Sequence, residues 1–235
     1  MAKMKKIISI VFAVAILACS LCACGGNTEP ETTAAPVETT AGALTSAELE
    51  YVLLEDGTVK ITAYKGNGLD EAGESLKTYT IPDEIDGKKV TVIASGAFKD
   101  AFRVEGNDLG TAVTFPRNIV TVEEKAFEGS AISRAYIEHA LSFRTLGDMA
   151  FANCDKLVQV TLPLKTETIG SKAFYLCTAL RVATIRSNDI KIAEDAFDIG
   201  VNKAQLHINC NEDAELVMAY ADKVGIEYKL LLVSK

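Results

Sequence analysis

Thr168-Ile169-Gly170-Ser171-Lys172-Ala173-Phe174 ends in an Ala-Phe pair, five residues after a branched aliphatic, and the chain repeats this phrase. The copies open at Ile93, Val122, Leu146, Ile169 and Ile192 and close at Phe98, Phe127, Phe151, Phe174 and Phe197. Successive phenylalanines lie 29, 24, 23 and 23 residues apart. A fixed period in the twenties marks a solenoid, because one such unit is too small to bury its own apolar face and must stack on a neighbour. Between the phrases lies a second strand signal: Val113-Thr114-Phe115, Ala135-Tyr136-Ile137, Val160-Thr161-Leu162, Ala183-Thr184-Ile185 and Leu206-His207-Ile208. Strand alternation turns the outer residues of each triplet inward and the middle one outward. The expected core is therefore two ladders, the five phenylalanines in one and Phe115, Ile137, Leu162, Ile185 and Ile208 in the other. Pro116 and Pro163 end their strands, since proline cannot donate to a ladder.

The ends of the repeat array read differently. Tyr51 to Tyr64 alternates β-formers around Asp56-Gly57, a hairpin that would close the N-terminal end of the array. Asp86-Gly87 is a second turn, and Lys65–Ser75 and Arg103–Gly110 read as loops. After the last copy, Leu216, Val217, Tyr220, Ala221 and Val224 fall at helical spacing. Asn211 or Asp213 is placed to cap that helix and Gly225 to end it, before Ile226–Val233 returns as a strand.

Ahead of the body, Lys3, Lys5 and Lys6 precede an apolar run from Ile7 to Leu17, broken only by Ser9. That is an export signal, too short to span a bilayer comfortably. Its end, Leu21-Cys22-Ala23-Cys24, resembles a bacterial lipoprotein box, with Ile16-Leu17-Ala18-Cys19 a weaker second candidate. The resemblance implies diacylation of Cys24 and a membrane held through two acyl chains. The Thr-, Ala-, Glu- and Pro-rich stretch that follows has no aromatic residue and reads as a flexible spacer. The expected organisation is a signal peptide over 1–23, a lipidated Cys and tether over 24–47, a hairpin cap over 48–78, the solenoid over 79–210 and a C-terminal cap over 211–235.

The charge is −8, or −11 once the three signal lysines are gone, which argues against a nucleic-acid partner. The two histidines, His139 and His207, have no nucleophile or carboxylate at triad spacing. Phosphate-loop, dinucleotide and zinc-protease motifs are absent. Cys154 and Cys177 lie three past their phenylalanines in adjacent repeats, to be read either as a disulfide rung or as two small buried thiols. Cys154, Cys177 and Cys210 lack zinc spacing, so no metal and no cofactor is expected. What remains is the outward face: Thr114, Tyr136, Thr161, Thr184 and His207, beside Arg134, Gln159, Val182 and Gln205, a polar ladder of the kind solenoids use for binding.

Val160-Thr-Leu-Pro163, Thr168-Ile-Gly-Ser-Lys-Ala-Phe174, Cys177-Thr-Ala-Leu180 and their copies resemble the BspA-type leucine-rich repeat. So do Ile81-Pro82 before Asp86-Gly87-Lys88 and the Gly225-Ile-Glu-Tyr228 ending. The resemblance covers roughly residues 50–232, departing at Gly129-Ser130 in place of Asn-Cys and after Asp198. It implies a β-rich leucine-rich repeat solenoid of about five 23-residue units between a hairpin cap and a helix-strand cap. It also implies a non-enzymatic binding or adhesion module at a bacterial surface, taking an extracellular protein or glycan. The alternatives are an accessory envelope lipoprotein that holds a glycan or partner protein and, from another class, an extracellular enzyme.

Overall fold

The computed structural model describes residues 41–66, 77–103 and 110–231. Strands, numbered along the chain, fall into two sheets. The first holds, in spatial order, β1 (Ala41–Ala43), β4 (Lys77–Thr80), β7 (Thr111–Thr114), β9 (Ile132–Tyr136), β11 (Gln159–Leu162), β13 (Val182–Ile185), β15 (His207–Cys210) and β16 (Glu227–Leu230). All its neighbours are parallel. The second sheet holds β2 (Leu49–Leu53), β3 (Val59–Tyr64), β6 (Lys88–Ile93), β8 (Thr121–Val122), β10 (Thr145–Leu146), β12 (Thr168–Ile169) and β14 (Lys191–Ile192). β5 (Glu84–Ile85) forms an antiparallel hairpin with β6, and β2 another with β3. Each repeat gives one strand to each sheet, which makes the chain a parallel solenoid.

The second sheet is as short as two residues per repeat because only two are needed. Val122, Leu146 and Ile169 stand in register and are buried, while Thr121, Thr145 and Thr168 face outward. The Ala-Phe phrase follows, with its rings stacked face to face. Centroid separations are 4.9 Å for Phe98–Phe127, 5.2 Å for Phe127–Phe151, 5.7 Å for Phe151–Phe174 and 4.7 Å for Phe174–Phe197, with interplanar angles of 15° or less. These match the spacing of hydrogen-bonded strands, so each ring sits on the ring of the coil before. Burying each phenylalanine stabilises the body by roughly 1.5–3 kcal/mol relative to exposure. Tyr64 from the hairpin stacks on Phe98 at 5.4 Å, and Tyr220 lies against Phe197 at 6.1 Å. The column therefore begins and ends in a tyrosine from a cap.

The backbone of the phrase holds the coils together without a regular strand. Phe98, Phe127, Phe151 and Phe174 donate their N–H groups to the alanine carbonyl before the next phenylalanine, at 2.7–2.9 Å. Two positions per repeat take the left-handed conformation. One is just before Ala-Phe, at Gly96, Lys125, Met149 and Lys172; the other is two past the phenylalanine, at Asp100, Gly129, Asn153 and Leu176. That turn aims further N–H groups at the next coil, as Met149 to Ser171 O at 2.8 Å and Asn153 to Tyr175 O at 2.7 Å show. At Lys172 the acceptor is the Asp195 carboxylate instead, at 3.3 Å. Buried backbone groups must find partners, so this ladder sustains the non-glycine left-handed residues despite a cost of about 1–2 kcal/mol each.

Cys154 and Cys177 are free, buried thiols, not a disulfide rung. Each donates its S–H to the phenylalanine carbonyl one coil back, Phe127 O at 3.1 Å and Phe151 O at 3.0 Å. Burial, then the neighbouring Cys154, pushes the Cys177 thiol well above the usual range. Ser130 takes the same place one coil earlier, 3.4 Å from Cys154 Sγ.

Four expectations are corrected. The inward partner of Ile185 is Cys210, not Ile208, which pairs with Ala183. A 3-10 helix, η1 (Gly200–Gln205), lengthens the connection from β14 to β15 and carries the strand two residues on. Cys210 thus fills the last inward rung, and burial lifts its thiol to about 11. The helix α1 (Glu215–Val224) starts at Ala214 with no side-chain cap; Asn211 instead donates to Arg186 O at 2.6 Å, tying it to the previous coil. Gly225, at φ 72°, does end the helix, but Leu216 points out and is half-exposed while Val217, Tyr220 and Ala221 are buried. Within the stretch read as a tether, Ala41–Ala43 form the strand β1 and Leu44 is buried. Residues 1–40, with Cys24, residues 67–76 and 104–109 in the stretches read as loops, and residues 232–235, with the end of the strand read to Val233, lie outside the described residues.

Two predictions follow from this packing. A Cβ on Gly147 would lie 2.7 Å from the backbone of Glu123 and Glu124, and one on Gly170 would lie 2.6 Å from Asp148 N. Gly147→Ala and Gly170→Ala should each destabilise by about 1–3 kcal/mol through overpacking, read as a lower midpoint in chemical denaturation. In residues 39–235, Cys154, Cys177 and Cys210 should stay inert to Ellman's reagent in the native state and all react once unfolded; release of a single thiol on denaturation would mean a disulfide.

Candidate binding face

The outward face of the first sheet is built by register alone. Thr80, Thr114, Tyr136, Thr161, Thr184, Asn209 and Lys229 form one row of mutual partners. Arg134, Gln159, Val182, His207 and Glu227 form a second, two residues earlier on each strand. The structure thus brings Thr114, Arg134, Tyr136, Gln159, Thr161 and Thr184 together as the triplets predict.

Two predicted residues are displaced by the two-residue insertion. His207 is outward but belongs to the Arg134 row, and Asn209 takes its expected place. Gln205 is not on the sheet at all; it is exposed at the end of η1. Asn209, Glu227 and Lys229 were missed. Reading buried Cys210 as a core rung would have found the first, and the Glu-Tyr-Lys alternation of the terminal strand the other two.

Access differs along the face. Arg134 and Gln159 are exposed, and Thr114, Tyr136 and Thr161 are partly so. Thr184 is only 8% exposed, with Asn209 Nδ2 3.5 Å from its hydroxyl. Among the described residues Arg134 has no ion-pair partner, whereas His207 Nδ1 lies 3.2 Å from Glu227 Oε2. One end of the face therefore offers an unspent guanidinium beside a tyrosine ring, and at the other end a histidine and a glutamate lie against each other.

Two shallow hollows lie elsewhere among the described residues. A polar hollow of about 380 Å³ is lined by Arg144, Lys165, Glu167, Arg186 and Asp189 among others, and an apolar one of about 280 Å³ by Ile190, Ile192, Leu216 and Tyr220 among others. Neither is lined by a histidine or a cysteine, and no three metal-ligating side chains gather among the described residues.

Solved structures with a similar fold are a T. pallidum leucine rich repeat protein, 19% identical over 80% of this chain and 98% of that one (TM-score 0.45), and the pneumococcal vaccine antigen PcpA, 21% identical over 73% and 50% (TM-score 0.49). A leucine rich cell surface protein from Faecalibacterium prausnitzii A2-165 is 16% identical over 80% and 54%, at a TM-score of 0.43. No curated protein matches the chain. The BspA type leucine rich repeat region matches residues 72–202 in six copies. With its ladder of Ala-Phe phrases, its parallel coils and that match, the chain belongs to the BspA-type leucine-rich repeat family.

Proposed function

We propose that this chain is a non-enzymatic binding or adhesion module, lipid-anchored at a bacterial surface, that recognises an extracellular protein or glycan through the outward face of its first sheet. The observation that carries this reading is the Arg134–Tyr136 pair. Both stand on β9, two residues apart on one face, and Arg134 has no ion-pair partner among the described residues. Arginine and tyrosine are the side chains that most often anchor interfaces, because each offers a large contact surface with a directional polar group. The flanking Thr114, Thr161 and Gln159 supply short hydroxyls and an amide in register, a row suited to hydrogen bonding along an extended ligand.

The anchor rests on the sequence of the N-terminal segment. Lys3, Lys5, Lys6, the apolar run and Leu21-Cys22-Ala23-Cys24 supply an export signal and an acylation site, and the polar stretch behind them supplies reach.

Residues 39–235 tested against a panel of immobilised extracellular-matrix proteins and glycans should retain at least one of them. Arg134→Ala and Tyr136→Ala should each weaken that binding by about tenfold, with unchanged thermal unfolding; full binding by the double variant would remove this face from the reading. In cells, Cys24→Ala should abolish incorporation of labelled fatty acid and move the protein out of the membrane fraction. Equal labelling of both forms would refute acylation at that residue.

A further inference from the structure

We propose that two copies of this chain pair through β16, antiparallel and related by a two-fold axis at Tyr228. β16 is the last strand of the first sheet, and none of the described residues pairs with its outer edge. Its register on β15, with Leu231 N–H donating to Cys210 O at 2.8 Å, turns the main-chain groups of Glu227 and Lys229 toward β15. In a parallel pair alternate residues face opposite edges, so the N–H and C=O of Tyr228 and Leu230 point outward. Ile226 has spent its N–H on Ala221 O at 2.9 Å and keeps a carbonyl for that edge.

These groups fit a second β16 run antiparallel. Tyr228 exchanges both hydrogen bonds with the Tyr228 of the partner subunit, and Leu230 N–H of each copy meets the Ile226 carbonyl of the other. That pairing fixes the side chains. Glu227 of one copy falls directly opposite Lys229 of the other, twice, on the outward face where both are exposed. Directly opposed residues of a pair without hydrogen bonds bring their side chains closest, so opposite charges there are favourable and like charges unfavourable. On the inward face Tyr228, partly buried, and Leu230, 46% exposed, gain cover.

A bare edge strand is ordinarily blunted by charge, and a lone lysine would do that. The Glu-Tyr-Lys spacing does something else: it repels most strands and complements its own copy. An isologous contact of this kind closes at two. The other end of the sheet, Ala41–Ala43, has no charge to complement, which disfavours head-to-tail growth.

Sedimentation velocity of residues 39–235, the compact unit that holds every described element, reads this directly. A concentration-dependent monomer–dimer equilibrium is expected. Glu227→Lys and Lys229→Glu should each weaken it by about tenfold or more, since two attractive pairs become two repulsive ones. The double variant Glu227→Lys/Lys229→Glu should restore it, a rescue that a folding defect would not give. A strictly monomeric wild type, growth into larger species without a dimer plateau, or a double variant no better than the singles would each overturn the proposal.

Discussion

Backbone hydrogen bonds set the distance between neighbouring coils, and every side-chain ladder is tuned to it. Apart from the β2–β3 hairpin, neighbouring strands in both sheets run parallel, and the Ala-Phe turns continue their spacing through N–H groups donated forward along the chain. Phenylalanine suits the interior because a flat ring can stack at the same interval, with planes within 15°. Thiols and a serine suit the place three residues on, where little room remains and a carbonyl one coil back accepts a hydrogen bond. Glycine is needed at 147 and 170, where backbones approach too closely for a side chain. One interval thus dictates ring, thiol and glycine alike.

That interval also separates the side chains that build the core from those left on the surface. Inward residues are committed to the ladders. Outward residues inherit only their place, one per coil and in line, with their chemistry left open. The face accordingly varies along its length: an unspent arginine and a tyrosine on β9, then threonines, the last of them within reach of Asn209, then a histidine beside a glutamate. The fold thereby supplies a straight row of chosen side chains without constraining their identity.

Much of this is legible in the sequence because the inward pattern repeats at a fixed period. The five phenylalanines, the aliphatics five residues before them, and Thr114, Tyr136, Thr161 and Thr184 all follow from counting. What escapes is whatever the period does not carry. Sliding a strand by two residues preserves alternation, so the insertion before β15 left His207 pointing outward and looking correct while Asn209 had taken its place. Leu216 and Val217 both fit a helical stripe, and only packing against the last coil decides that Val217 is the buried one. Ala41–Ala43 has no apolar signal of its own; pairing with β4 and the burial of Leu44 make it a strand. The tyrosines that close the ring column lie in the caps, outside the repeat, so no period announces them.

The interchangeable coils carry a consequence for how such a chain changes over generations. Cutting after Phe151 and rejoining at Tyr175 would remove one whole turn and leave every remaining ring, thiol and carbonyl facing an equivalent neighbour. Duplicating the same segment would add a turn on the same terms. Length of the outward face is thus a property that copying errors alter in whole units, with both caps untouched. A lineage can lengthen or shorten that face without inventing a new fold.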